Sequence, residues 1–138
     1  MSFPTLVQSI YIDLSGSSIN TTSTAFPPTV VLLTQNITLA STKSIVEVHL
    51  DFSGDIDTIG SQISLALAIN NSVVRCHRYS GSLANVPFLM SQRWMKTVGA
   101  SGSIAVEARW GVSANTARCV VGSDSLAQGA SLLINEWH

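Results

Sequence analysis

A chain of 138 residues is long enough for one domain with one hydrophobic core. It is 46% hydrophobic and only 11% charged, where globular domains carry roughly 25% charge, yet its apolar runs stay far below the ~20 residues of a membrane-spanning helix. Seven basic against eight acidic residues disfavour a nucleic-acid partner, which needs a concentrated basic face. Two lysines, Lys43 and Lys96, are too few for a polybasic membrane patch.

The N-terminus, Met1-Ser2-Phe3-Pro4-Thr5, has neither the basic region nor the long apolar stretch of a secretory signal. Residues 1–8 are expected to form a short arm ahead of a first strand at 9–14. Pro27-Pro28 cannot join a ladder and opens the next strands, expected at 29–34 and 36–39. In the following strand, 44–53, Val46, Val48, Leu50 and Phe52 make one face and Glu47, His49 and Asp51 the other. Ser53-Gly54-Asp55 marks a loop, and Ile63, Leu65, Leu67 and Ile69 then alternate with Ser64, Ala66 and Ala68 in a strand at 62–70. Asn70-Asn71-Ser72 suits a tight hairpin into 73–79, because Asn tolerates positive φ. Strands at 88–97 and 103–111 follow, the second with Ile104, Val106, Ala108 and Trp110 on one face. Strands at 116–121 and 131–137 close the chain. Short strands at this spacing, with no helical periodicity, predict a single all-β domain over 1–138: an antiparallel jelly-roll sandwich of about eight to ten strands.

Few residues suggest chemistry. Asp51, Asp55 and Asp57 lie close in sequence, but the pattern lacks the acidic twelfth position and flanking helices of a calcium loop. His49 and Asp51 share a strand face with no third ligand or nucleophile to join them. Nucleophile elbows, phosphate-cradling glycine loops and zinc-binding helix motifs are absent from the sequence. The expectation is a protein without catalytic residues, cofactor or metal. Cys76 and Cys119 fall inside strand-like runs and are expected to be free thiols. Among the aromatics, Trp110 belongs with the core, whereas Tyr79, Trp94 and Trp137 are candidate interface or ligand-stacking residues. A surface rich in Ser, Thr and Asn and poor in charge fits coverage by neighbouring subunits.

The order of segments resembles phage and virus structural domains with the tumour-necrosis-factor-like, or complement-head-like, jelly roll. A strand ending in Phe52-Ser53-Gly54 precedes a long apolar strand and hairpin, Ile63 to Arg78. Val86-Pro87-Phe88-Leu89-Met90 comes next, then Gly102 to the Arg109-Trp110 pair, and Ala130 to Trp137 is similar to the family's terminal strand. The likeness covers residues 29–138, and Trp137-His138 departs from the usual aliphatic end. It implies a homotrimer. With no stalk segment in the sequence, it further implies a capsid decoration (cement) protein on the virion surface, made in the host cytoplasm and bound to the major capsid protein or another virion protein. Ser2, Phe3, Pro4, Thr5 and Leu6 would form the arm that contacts the capsid. The alternative is the receptor- or glycan-binding head of a phage fibre.

Overall fold

The computed structural model describes residues 3–14, 18–120 and 129–138. Within them the alternating segments form ten strands: β1 (Leu6–Asp13), β2 (Ile19–Thr21), β3 (Val30–Leu39), β4 (Ile45–Ile56), β5 (Gln62–Ile69), β6 (Ser72–Ser80), β7 (Phe88–Thr97), β8 (Gly102–Val112), β9 (Ala117–Cys119) and β10 (Ala130–Trp137). Every ladder among them is antiparallel.

Two of these strands are continuations of others. β10 pairs with Ile45–Phe52 of β4, and β9 pairs with Gly54–Ile56 of the same strand. Ser53 joins the two stretches, donating its N–H to the Gly129 carbonyl at 2.7 Å and accepting from the Val120 N–H at 2.9 Å. On the next strand out, β1 pairs with β10 and β2 with β9, while Leu14 donates to the Ala130 carbonyl at 2.7 Å. Counting each interrupted strand once gives a sheet β1/β2–β9/β10–β4–β7 facing a sheet β3–β8–β5–β6. Eight antiparallel strands that cross between two sheets in this order form a jelly roll.

The core lies between the sheets. Val46, Val48, Leu50 and Phe52 from β4 and Leu132 and Ile134 from β10 meet Ile63, Leu65 and Leu67 from β5 and Ile104, Val106, Ala108 and Trp110 from β8, all buried. Trp110 and Phe52 pack with ring centroids 5.7 Å apart at a tilt of 54°, the inclined geometry that aromatic quadrupoles favour. Glu136 points inward too, and is held by Gln8 Nε2 at 2.7 Å, the Ala40 N–H at 2.8 Å and Ser44 Oγ at 2.6 Å. It thereby ties the turn between β3 and β4 to the last strand. The β5–β6 hairpin turns on Asn70 and Asn71, both at positive φ (49° and 67°), as their side chains allow.

Some sequence expectations need correction. The segments 29–34 and 36–39 are one strand, β3, because the ladder to β8 runs unbroken through Gln35 opposite Val106. β2 carries no alternation by which it could have been recognised. β1 begins at Leu6, where a register irregularity between Leu6 and Gln8 hides the pattern, so Leu6 to Gln8 belong to the sheet. The described part of the arm is Phe3, Pro4 and Thr5. The second face of β5 is not polar surface: Ala66 and Ala68 are buried beside Arg109 and Glu107, which lie opposite them on β8.

Candidate functional site

The outward face of the β1–β10–β4–β7 sheet is organised around one carboxylate. The pleat that buries Val48 turns Glu47 outward, where the register places Asn135 directly opposite on β10 and Met95 opposite on β7. Trp137 and Arg93 stand diagonally one step away, within reach of long side chains. Glu47 Oε1 accepts from Asn135 Nδ2 at 3.0 Å and from the Trp137 indole N–H at 3.1 Å. Its Oε2 accepts from an Arg93 guanidinium nitrogen at 2.9 Å and lies 3.1 Å from His49 Nε2.

With four donors converging, Glu47 is only 6% exposed although it lies outside the core. The Asn135 hydrogen bond foremost, then Arg93, holds its carboxyl down at about 2 against partial desolvation, with help from Trp137 and His49. Such a carboxylate has little capacity left to take up a proton near neutrality.

Beside it is a shallow, mostly apolar cleft of about 380 Å³, lined by Phe3, Pro4, Ile45, Glu47, Met95 and Trp137. The start of the chain is pinned there by reciprocal backbone bonds between Thr5 and His138, at 2.8 and 2.9 Å. Phe3 itself remains 84% exposed. The apolar side chains of this end therefore form an open face with a neutralised charge at its edge.

The structure brings together three residues singled out by sequence, Phe3, Pro4 and Trp137. Thr5 anchors the arm, Leu6 is the first residue of β1 opposite Trp137, and Ser2 falls outside the described residues. Tyr79 and Trp94 do not join them. Trp94 packs against the core from the inward face of β7, opposite Val48. Tyr79 spans from β6 to β7, its hydroxyl donating to the Ser91 carbonyl at 3.1 Å. Glu47, Arg93, Met95 and Asn135 carried no signal as a group, because strand register rather than spacing assembles them.

The other candidate clusters disperse. His49 pairs with Glu47 and not with Asp51, which is exposed. Asp55 is buried against Arg118, with Arg118 donating to Oδ2 at 2.5 Å and to Oδ1 at 3.3 Å. Asp57 accepts from the Thr116 N–H at 3.1 Å. No group of three or more metal-ligating side chains forms among the described residues. Cys76 and Cys119 are both unpaired; they lie on strands of different sheets.

No protein-family model and no curated protein matches the sequence. Among solved structures, the chain is similar to a chain of the T13 particle of infectious bursal disease virus (TM-score 0.51, 12% identity, covering 94% of this chain and 35% of that one). It is also similar to a chain of the Gt strain of that virus (TM-score 0.51, 11% identity, 95% and 36%). A sugar-binding protein, the EclA C-terminal domain, aligns at TM-score 0.43 and 12% identity over 89% of this chain and 80% of that one. The chain spans about a third of the length of the viral chains, and at this identity the likeness is one of fold.

Proposed function

We propose that this chain is a non-enzymatic virion structural protein: a decoration protein that binds the outer capsid shell as a homotrimer and stabilises it, in the manner of tumour-necrosis-factor-like jelly rolls. The observation that carries the reading is the outward face around Glu47. Phe3, Ile45, Met95 and Trp137 offer apolar area at an edge where the one buried carboxylate already has its hydrogen bonds. Covering this face removes apolar surface from water without stranding a charge, the usual obstacle to burying a polar group. The low overall charge favours an assembly role, and the fold shared with chains of a virus particle is compatible with it.

The carboxylates also support a role without catalysis. Glu47 and Glu136 are held by several donors each, and Asp55 is paired with Arg118. A general acid or base needs a proton affinity near the working pH, and Glu47 at about 2 lies far from it.

Two measurements test the proposal. Sedimentation equilibrium is expected to give three times the 14.6 kDa chain mass. Shells of the parent virus stripped of the protein are expected to rebind it, and to rebind Phe3→Ala/Trp137→Ala weakly. A monomer that ignores such shells overturns the reading.

A second reading, a glycan-binding fibre head, is favoured by one feature. The half-buried indole of Trp137 lies in a cleft whose Glu47 floor also holds the well-exposed Arg93, pairing a stacking surface with a hydrogen-bond donor. Glycan-array binding that is lost in Trp137→Ala, together with unchanged shell binding, would select it.

A further inference from the structure

Between Asp57 and Glu107 the sequence contains no carboxylate, yet the same run holds Arg75, His77, Arg78, Arg93 and Lys96. These residues fall on different strands, and the topology brings the strands to one side of the sandwich. β6 is the outermost strand of its sheet and β7 borders the other; the two edges adjoin where the Tyr79 hydroxyl reaches the Ser91 carbonyl. Four of the chain's seven lysines and arginines thus border one open side of the molecule. Arg78 stacks over Phe26 at 4.0 Å and Arg93 pairs with Glu47. Arg75, His77 and Lys96 are exposed, and the described residues supply no acidic partner for them.

The backbone of β6 adds an independent feature. The strand runs nine residues, and among the described residues its one ladder is with β5. Val73 and Val74 are 38% and 36% exposed, and Arg75, His77 and Arg78 are exposed as well, so both faces of the strand are open. A strand with one paired side presents a row of free N–H and C=O groups along the other. Proteins commonly defend such edges with charge, but here the charge has a single sign. A second copy pairing β6 to β6 would set Arg75, His77 and Arg78 near their own counterparts, and like charges across a ladder destabilise it. A strand carrying carboxylates meets the opposite condition.

We propose that the β6 edge is a docking site for an extended, acidic segment of a partner protein, which adds a fifth strand to the β3–β8–β5–β6 sheet. Backbone hydrogen bonds supply the affinity. Arg75, His77 and Lys96 select the sign of the partner and speed its approach. The site is distinct from the cleft at Trp137, so either proposal can fail without the other.

The test uses a fluorescein-labelled peptide of about ten residues, a usual strand length, with Glu alternating with Val and Thr. Two controls accompany it: its Gln counterpart, and a Glu version N-methylated at alternate amides so that one edge cannot donate. Fluorescence anisotropy on the wild-type chain is expected to show binding of the Glu peptide that weakens as salt screens the charges. Binding is expected to fall about tenfold for the Gln peptide and for the Arg75→Glu/Lys96→Glu variant, and to vanish for the N-methylated peptide. Trp137→Ala is expected to leave all of this unchanged. Equal binding of the N-methylated peptide would reduce the site to simple charge attraction and overturn strand addition. Tighter binding of an oligothymidylate of matched charge would overturn the peptide partner in favour of nucleic acid, and failure of the Glu peptide to bind would overturn the proposal outright.

Discussion

Trp137 stands one strand over from Glu47 and two residues along the ladder, and its indole N–H reaches Oε1 at 3.1 Å. That single bond does two things at once. It satisfies the one polar group of the Trp side chain and supplies one of the donors that keep Glu47 ionised. The aromatic ring is thereby held in place on the outer face, where its apolar body lines the cleft. Stability and the character of this surface are coupled through the same carboxylate, and the predictions begin from it.

Replacing Glu47 by Gln should cost stability in a pH-dependent way. The native protein holds this carboxyl at about 2 against an ordinary 4.5, so the unfolded chain takes up the proton more readily. The contribution is fully present above pH 4.5 and is lost as the pH falls through that value toward 2. Glu47 is shielded by a single layer of side chains rather than by the core, so about 1–2 kcal/mol at pH 7 is expected for the disrupted hydrogen bonds. Urea melts of wild type and Glu47→Gln from pH 7 to pH 2 should show the gap close across that window. A gap that stays constant with pH would mean that the charge of Glu47 contributes nothing.

The two thiols should react at very different rates in the native protein. Cys119 is fully buried opposite Gly54, and burial pushes its thiol up to about 12. Cys76 is partly exposed on β6. Because the thiolate is the reactive species, an aromatic disulfide reagent should label one thiol per chain before denaturant and the second only after unfolding. Two rapid labels in the native state would show that the β4–β9 ladder opens readily.

Gly54→Ala should be severely destabilising. A Cβ at this position would overlap the edge of the Phe52 ring and sit 2.8 Å from the Arg118 carbonyl oxygen. Neither the ring, packed on Trp110, nor the ladder carbonyl can yield without moving the core or the β9 pairing. Overpacking of this kind costs about 1–3 kcal/mol, measurable as a lower urea midpoint with an unchanged slope.

Much of this fold is legible in period-2 alternation, and particular residues show where legibility stops. Val46, Val48, Leu50 and Phe52 announce the inward face of β4, and all four are buried. The same reading places Glu47 on the outward face, but not its partners, because Asn135 and Arg93 reach it only through pairings between strands distant in sequence. Ala66 and Ala68 mislead for a related reason: small residues on an outward face look like surface until a neighbouring strand supplies Arg109 and Glu107 beside them. The arginines illustrate the same gap in the opposite direction. Arg75, Arg78 and Arg93 look scattered along the chain, and only the meeting of the β6 and β7 edges gathers them.

Three substitutions separate the roles of core, outer sheet face and cleft. Trp110 is buried against Phe52, so Trp110→Ala should open a cavity and cost about 3–5 kcal/mol. That is a large share of a stability that is typically about 5–15 kcal/mol. Arg109 precedes Trp110 in sequence but points to the other face of β8. There its side chain is only 11% exposed, donating to Glu107 Oε1 at 2.9 Å and Asn71 Oδ1 at 2.6 Å, and it lies beside buried Ala66. Freely solvated, it would tolerate truncation at less than ~1 kcal/mol. As placed, Arg109→Ala removes two charge-assisted bonds, and about 1–3 kcal/mol is expected. Trp137→Ala, at the margin of the sandwich, should cost less than Trp110→Ala and should weaken partner binding instead. Urea melts and shell-binding assays on the three variants give the ordering. A stable Trp110→Ala protein that had lost only its partner would place recognition at the core tryptophan and refute the division of labour between the core and the outer cleft.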